Sequence, residues 1–191
     1  MAKLKQRCWP TGNDPLMDKY HDHEWGRPVH DDHTHFEYLI LDSFQAGLSW
    51  RTILHKRKNF TKAFSNFNVR AVAKYGAPQI LRLMADAGII RNHLKIKAAV
   101  KNARAFLALQ KKFGSFDTYI WQFVGKRVKQ NRFTRLSQLP ASSPESDAMS
   151  KDLKQRGFSF VGTTICYAYM QGAGLVNDHL LGCPAKRGKK R

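Results

Sequence analysis

The sequence predicts an all-α fold on three observations. Apolar residues recur every three or four positions along most of the chain, the spacing of helices with one buried face. No segment alternates apolar and polar residues as a half-buried strand does, and no pair of segments reads as a hairpin. The chain has 191 residues, 42% hydrophobic and 12% aromatic. A chain of that size buries about 70% of the surface its unfolded form exposes, so one core is expected and wholesale disorder is excluded.

The elements follow in order. Thr34 with Glu37 reads as a capping box that opens a helix through Phe36, Leu39, Ile40 and Phe44. Ser49 caps the next helix, with Trp50, Ile53, Leu54 and Phe60 inward. Pro78 suits a first helical turn, followed by Ile80, Leu83 and Met84. Residues 93–113 place Ile96, Val100, Ala103 and Leu107 on one face, with Lys97, Lys101, Arg104 and Lys111 mostly elsewhere. PASSPESD (residues 140–147) is the main loop candidate, within which Ser143-Pro144 starts a helix that Gly157 ends. Residues 158–174 read as a buried helix, although the β-branched start FVGTTI weakens the helical pattern. One domain is expected over residues 1–183, with 184–191 a basic, disordered tail. No apolar run approaches the ~18 residues of a membrane helix, and MAKLKQRCWPTGNDP lacks an apolar signal core. No membrane partner and a cytoplasmic location are therefore expected.

Charge is unevenly placed. The net charge is +19. Residues 1–42 carry five basic and eight acidic groups, for −3, and residues 145–191 carry eight and four, for +4. Residues 43–144 carry 20 basic groups against only Asp86 and Asp117, for +18. A body this positive attracts a polyanion, most simply nucleic acid, although a solubility device gives the same count.

Three constellations stand out. ADAGIIRNHLKIK (residues 85–97) reads as helix end, tight turn and helix start, in the middle of the basic region. Gly88 is expected to allow a backbone conformation that a Cβ resists. Ile89 and Ile90 anchor the turn, Asn92 caps the next helix, and Arg91, Lys95 and Lys97 add charge. Amides at such a turn bind phosphate without reading sequence. The pattern resembles the helix-hairpin-helix motif of DNA repair proteins.

The second constellation is Cys8 with His21 and His179 with Cys183, a soft and borderline donor set suited to zinc. Spacing alone does not join pairs so far apart. With three Cys and no signal core, a disulfide framework is not expected, and Cys166, in an apolar run, reads as a core thiol. His23, His30, His33, His35, His55 and His93 read as surface or structural residues.

The third constellation is Asp42, in a helix that is apolar nearly all round, with Tyr20, Trp25 and Trp50 close in sequence. A buried carboxylate is costly unless paired or functional. Aromatic faces with one acceptor are what a pocket for a flipped purine needs. Singly, Asp42 also reads as a cap or ion pair, and the tryptophans as core.

Four motifs in order, YHDHEWG, FQAGLSW, DAGIIRNHLKI and RGFSFVGTTICYAYMQGAGLVNDH, span nearly the whole chain. Together they resemble the bacterial DNA-3-methyladenine glycosylase I family, of the helix-hairpin-helix superfamily. The resemblance implies a helical, cytoplasmic monomer that flips and removes 3-methyladenine from double-stranded alkylated DNA without strand cleavage. It implies one structural zinc joining the N- and C-terminal segments through Cys8, His21, His179 and Cys183. It gives Asp42 to base recognition, with Tyr20 and Trp50 shaping the site and Trp25, Trp9, Phe44, Met17 and Ala168 in the base pocket. Leu48 is the candidate wedge, and residues 88–91 with Lys95 and Lys97 the DNA grip. The chain departs from the family pattern at several points. Asp42 stands for the usual Glu, Ser43 and Phe44 for Gly-Gln, Met17 for a tyrosine and Ala168 for a serine, and Trp9 is offset by one position. These departures leave two other readings open: a zinc-stabilised binder of damaged DNA, or a glycosylase for a different alkylated base.

Overall fold

A computed structural model describes residues 7–187. Among the described residues, helices form wherever a cap meets a periodic apolar run. α1 (Pro15–His23) is opened by Asp14, whose carboxylate accepts from the amides of Leu16 and Met17. α2 (Asp32–Gln45) is opened by Asp31, which accepts from the Thr34 amide. The expected box of Thr34 and Glu37 is therefore not the cap. An acidic cap three residues earlier takes the helix start, and Glu37 instead pairs with Arg57 at 2.7 Å. α3 (Trp50–Ala63) begins at Ser49, as its sequence predicts. α4 (Val69–Ala73) is capped by Asn68, and α5 (Ala77–Ala85) has Pro78 in its first turn. α6 (His93–Phe113) starts on Asn92, which accepts from the Lys95 amide. α7 (Phe116–Ile120) is capped by Ser115. α8 (Pro144–Gln155) is capped by Ser143, so the 140–147 loop ends there, and Gly157 follows the helix at φ +91°.

α9 (Thr163–Gly172) is shorter than the helix expected over 158–174. The Asn102 side chain holds both the amide and the carbonyl of Ser159, which pins residues 158–162 to α6 in a non-helical path. One small sheet also forms: β1 (Lys129–Gln130) runs parallel to β2 (Val176–Asn177). Two-residue strands are too short for the alternation by which a sequence reveals them.

α2 passes through the centre. Phe36, Ile40, Leu41 and Phe44 are fully buried, as are Ile96, Ala103 and Phe106 of α6. Leu107 is only half-buried, whereas Phe106 and Leu109 are buried. Phe106 stacks on Phe116 at 4.0 Å between ring centroids. His35, at the start of α2, is fully buried between Asp117 and the Tyr169 hydroxyl. The chain after Cys183 does not turn directly into a tail. Pro184–Arg187 form a 3-10 turn in which Ala185 is buried and Lys186 Nζ donates to the carbonyls of Asn131 and Asn177. The remaining expected tail residues, 188–191, lie outside the described residues. No described helix is long and apolar enough to cross a membrane.

Candidate active site and metal centre

α1, α2, α3 and α9 converge on a cavity of about 310 Å³. Tyr20 and Met17 come from α1, Asp42 from α2, Trp50 from α3 and Ala168 from α9; Trp9 and Trp25 close one side. Tyr20 and Trp50 face each other at 5.0 Å between ring centroids, and Trp9 meets Trp25 edge-on at 4.4 Å. Asp42 is 3% exposed, and its Oδ2 has no hydrogen-bond partner. Burial pushes its carboxyl well above the usual carboxylate range. The indole N–H groups of Trp9 and Trp50 are also buried without partners. One acid oxygen and two donors, all unsatisfied on residues that line an aromatic-walled cavity, suit a flat polar molecule.

Phe44 is not part of this site. It is fully buried and packs on Phe60 and Phe64, with ring centroids 4.9 and 5.8 Å away. At about 100° per residue, Phe44 lies on nearly the opposite side of α2 from Asp42, whereas Gln45 shares its side. Gln45 does line the cavity, as do Gln171 and Leu139. The sequence reading missed all three. Helical spacing signals the first two, three residues after Asp42 and Ala168, but nothing in the sequence marks Leu139, which comes from a loop.

Leu48 is 41% exposed in the short loop between Gln45 and Trp50, both of which line the cavity. The turn is tight: Gly47 has φ +77°, and the Leu48 amide donates to the Gln45 carbonyl at 2.6 Å.

The segment between α5 and α6 forms the expected turn, with two corrections. Gly88 is not in the left-handed region; the constraint on it is tight space. A Cβ there would sit 2.9 Å from Asp86 Oδ1 and 3.1 Å from the Asn59 side chain. The amides of Gly88, Ile89 and Asn92 are bonded within the turn, to Asp86 Oδ1, Asp86 O and Ile90 O. Ile89 is buried and Ile90 half-buried, while Arg91 and Lys97 are exposed. Lys95 is the second correction. It is 6% exposed, and its ammonium donates to the carbonyls of Phe44 at 2.9 Å and Ala46 at 2.5 Å. It is therefore not at the surface where a DNA phosphate passes. Lys95 falls on the buried side of α6 beside Ile96, and the negative end of α2 draws its charge inward.

Segments from the two ends of the described residues meet in a second centre. The ligand atoms of Cys8, His21, His179 and Cys183 all lie within 4.8 Å of one another, and all four residues are buried. His179 Nδ1 is 3.4 Å from Cys8 Sγ and 3.5 Å from Cys183 Sγ, and His21 Nε2 is 3.6 Å from Cys183 Sγ. A tetrahedral zinc with bonds of about 2.3 Å to S and 2.0–2.1 Å to N holds S and N about 3.5 Å apart, so the set fits one ion. The other ring nitrogens are oriented: His179 Nε2 donates to the Trp25 carbonyl at 2.9 Å, and His21 Nδ1 meets Asp22 at 2.8 Å. Arg7 holds Asp22 in turn and depresses its carboxyl to about 2. Such outer partners fix the ligating tautomer. Cys166 stays apart as a core thiol, donating to the Val161 carbonyl and pushed up to about 12 by burial.

The chain matches the methyladenine glycosylase family model over residues 9–186. It is 46% identical over 185 residues to "DNA-3-methyladenine glycosylase 1" of Escherichia coli (strain K12), covering 97% of this chain and 99% of that protein. A crystal structure of 3-methyladenine DNA glycosylase I superposes with a TM-score of 0.91 at 46% identity, covering 94% of this chain and 98% of the other. A tyrosine-to-phenylalanine variant of 3-methyladenine DNA glycosylase I, solved in complex with 3-methyladenine, superposes with a TM-score of 0.89 at 36% identity, covering 91% and 94%.

Proposed function

The chain belongs to the methyladenine glycosylase family, and on that premise we propose that it removes 3-methyladenine from alkylated double-stranded DNA by hydrolysing the N-glycosidic bond. The observation that carries this reading is the unpaired Asp42 oxygen inside an aromatic cavity. An isolated buried carboxylate is costly until a complementary group arrives. A base methylated at N3 is cationic, and its planar ring suits the Tyr20 and Trp50 faces. Neutral adenine brings no charge to balance Asp42, so the site favours the damaged base.

The chemistry asks little of the protein. The cationic base is already a good leaving group, and positive charge grows on the sugar as it departs. Asp42 binds the base edge, the Trp9 and Trp50 indole N–H groups offer donors to its ring acceptors, and the aromatic walls exclude water from the base. The base leaves with the electron pair of the N-glycosidic bond and becomes neutral, and water adds to the sugar carbon and gives up one proton to solvent. No lysine lines the cavity among the described residues, which supports simple hydrolysis over a covalent lysine route and hence no strand cleavage. Leu48, beside the cavity, fills the stack that the flipped nucleotide leaves. The exposed Arg91 and Lys97 grip the backbone, with the last residues of the turn, Ile90 and Arg91, nearest to it, since the Gly88 and Ile89 amides are already bonded to Asp86. Zinc is the ion we assign to Cys8, His21, His179 and Cys183, where it holds the two ends of the chain together.

One observation favours a shifted lesion range. Asp42 is a methylene shorter than the family's usual glutamate, and Met17 and Ala168 line the same cavity. Chromatography of bases released from methylated DNA tests both readings. The expected result is free 3-methyladenine from the wild type, and little from Asp42→Asn. Release of another alkylated base instead redirects the assignment. Release no greater than from heat-killed protein overturns it in favour of a damaged-DNA binder.

A further inference from the structure

The Lys95 ammonium lies inside the protein, and it joins two parts that must act together. Lys95 is the third residue of α6, directly after the turn, and its own amide is capped by Asn92 Oδ1 at 3.1 Å. Its side chain crosses to the end of α2 and donates to the carbonyls of Phe44 and Ala46. Those are among the acceptors that a helix C-terminus leaves unpaired, at the negative end of its dipole, so a cation there is favoured twice. Asp42, two residues before Phe44, and Gln45, between the two acceptors, line the cavity, and the loop that Ala46 opens carries exposed Leu48. α3 makes the reverse connection. Lys56 Nζ donates to the carbonyls of Ala87 and Gly88 and Asn59 Nδ2 to that of Gly88, each at 3.2 Å. Side chains bonded to backbone thus tie the turn region to α2, where the loop begins, and to α3, where it ends.

We propose that Lys95 is a positioning residue that holds the 46–49 loop and Leu48 in register with the turn that grips the DNA backbone. Loss of its ammonium leaves the buried carbonyl of Phe44 and the half-buried one of Ala46 unpaired, and the end of α2 loosens to find water. A misplacement of about 1 Å costs up to about a hundredfold in rate. Binding to the backbone is untouched, because Lys95 reaches no phosphate. The rate effect rests on the glycosylase reading; the mechanical coupling does not.

The test compares wild type with Lys95→Met, which keeps the length of the stem, and with Lys97→Gln, which removes an exposed charge two residues on. Lys95→Gln, which retains an uncharged NH2 donor group, serves as the milder variant if Lys95→Met melts at too low a temperature to assay. Amide hydrogen exchange is expected to quicken about tenfold or more over residues 44–50 in the Lys95 variants, and to stay unchanged in Lys97→Gln. Single-turnover release of 3-methyladenine is expected to fall about ten- to a hundredfold in Lys95→Met. Its salt dependence of duplex binding should match wild type, whereas Lys97→Gln should lower that slope by about one. Unchanged exchange at 44–50 overturns the proposal, and so does faster exchange with undiminished release. A salt slope reduced as in Lys97→Gln returns Lys95 to the phosphate contacts. If the wild type releases no 3-methyladenine, the glycosylase reading fails, and the exchange measurement still decides the coupling.

Discussion

Asp42 Oδ2 has no hydrogen-bond partner, and burial raises the carboxyl well above its usual range. The folded state therefore holds the Asp42 proton more tightly than the unfolded chain, whose aspartate titrates near 3.9. A raised carboxyl contributes stability below that value and loses it as pH climbs through the interval up to the folded value. Asp42→Asn removes this loss. Melting temperatures measured across pH should show the variant above wild type at pH 7–8, with the gap closing as pH falls towards about 4. The same substitution should cut base release by at least about a hundredfold, the usual scale for removing a group that stabilises developing charge. A gain in stability with a loss of activity separates a functional carboxylate from an ordinary ion-pairing one. Phe44, two residues along, gives the contrast: its side chain is fully buried against Phe60 and Phe64 and serves packing.

At the scale of elements, the molecule is held by side chains that reach from one helix to the backbone or cap of another. Gly88 shows how closely the α5–α6 turn approaches α3. Gly88→Ala puts a methyl group 3.1 Å from the Asn59 side chain and 2.9 Å from Asp86 Oδ1. Denaturant melts should show a loss of about 1–3 kcal/mol, although the backbone there suits any residue. His35 joins α2 to α7 through Asp117 and to α9 through Tyr169. Burial lowers its pKa despite Asp117, so the fold prefers it neutral. A lowered histidine contributes stability above its unfolded value near 6.5, and that stability is lost as pH falls below it. His35→Gln should be less stable at pH 8 and yet lose less stability between pH 7 and 5, as read from midpoints of unfolding.

At the scale of the whole molecule, the Cys8, His21, His179 and Cys183 cluster sets residue 8 beside residue 183, and an ion held there would close nearly the entire chain into a loop. Metal analysis of freshly purified protein should find one zinc per chain. Strong chelation, or Cys183→Ser, should lower the melting temperature by several degrees, and hydrogen exchange should open first around Cys8 and the β2-to-Cys183 segment. Equal melting with and without the ion would remove zinc from the assignment. The charge distribution fits the same layout. The −3 segment supplies Asp42 and two of the four candidate ligands, while the +18 segment carries the turn with Arg91 and Lys97.

Much of this was legible in one dimension. Caps and apolar periods mark Ser49, Asn92 and Ser143 as helix starts, because a cap and the amides it satisfies lie within three residues of each other. The cavity residues Tyr20, Trp25, Asp42 and Trp50 are conspicuous because polar and aromatic groups break an apolar pattern. Contacts between distant segments carry no such local mark. Only the tertiary structure brings Cys8 to His179, hides Lys95 beneath the end of α2, turns Phe44 away from the cavity and adds Leu139 to its wall. Sequence by itself marked the starts of several longer helices and the chemical groups they carry, since those depend on neighbours a turn away. Which of those groups meet was decided by packing, since burial and partner choice depend on the whole core at once.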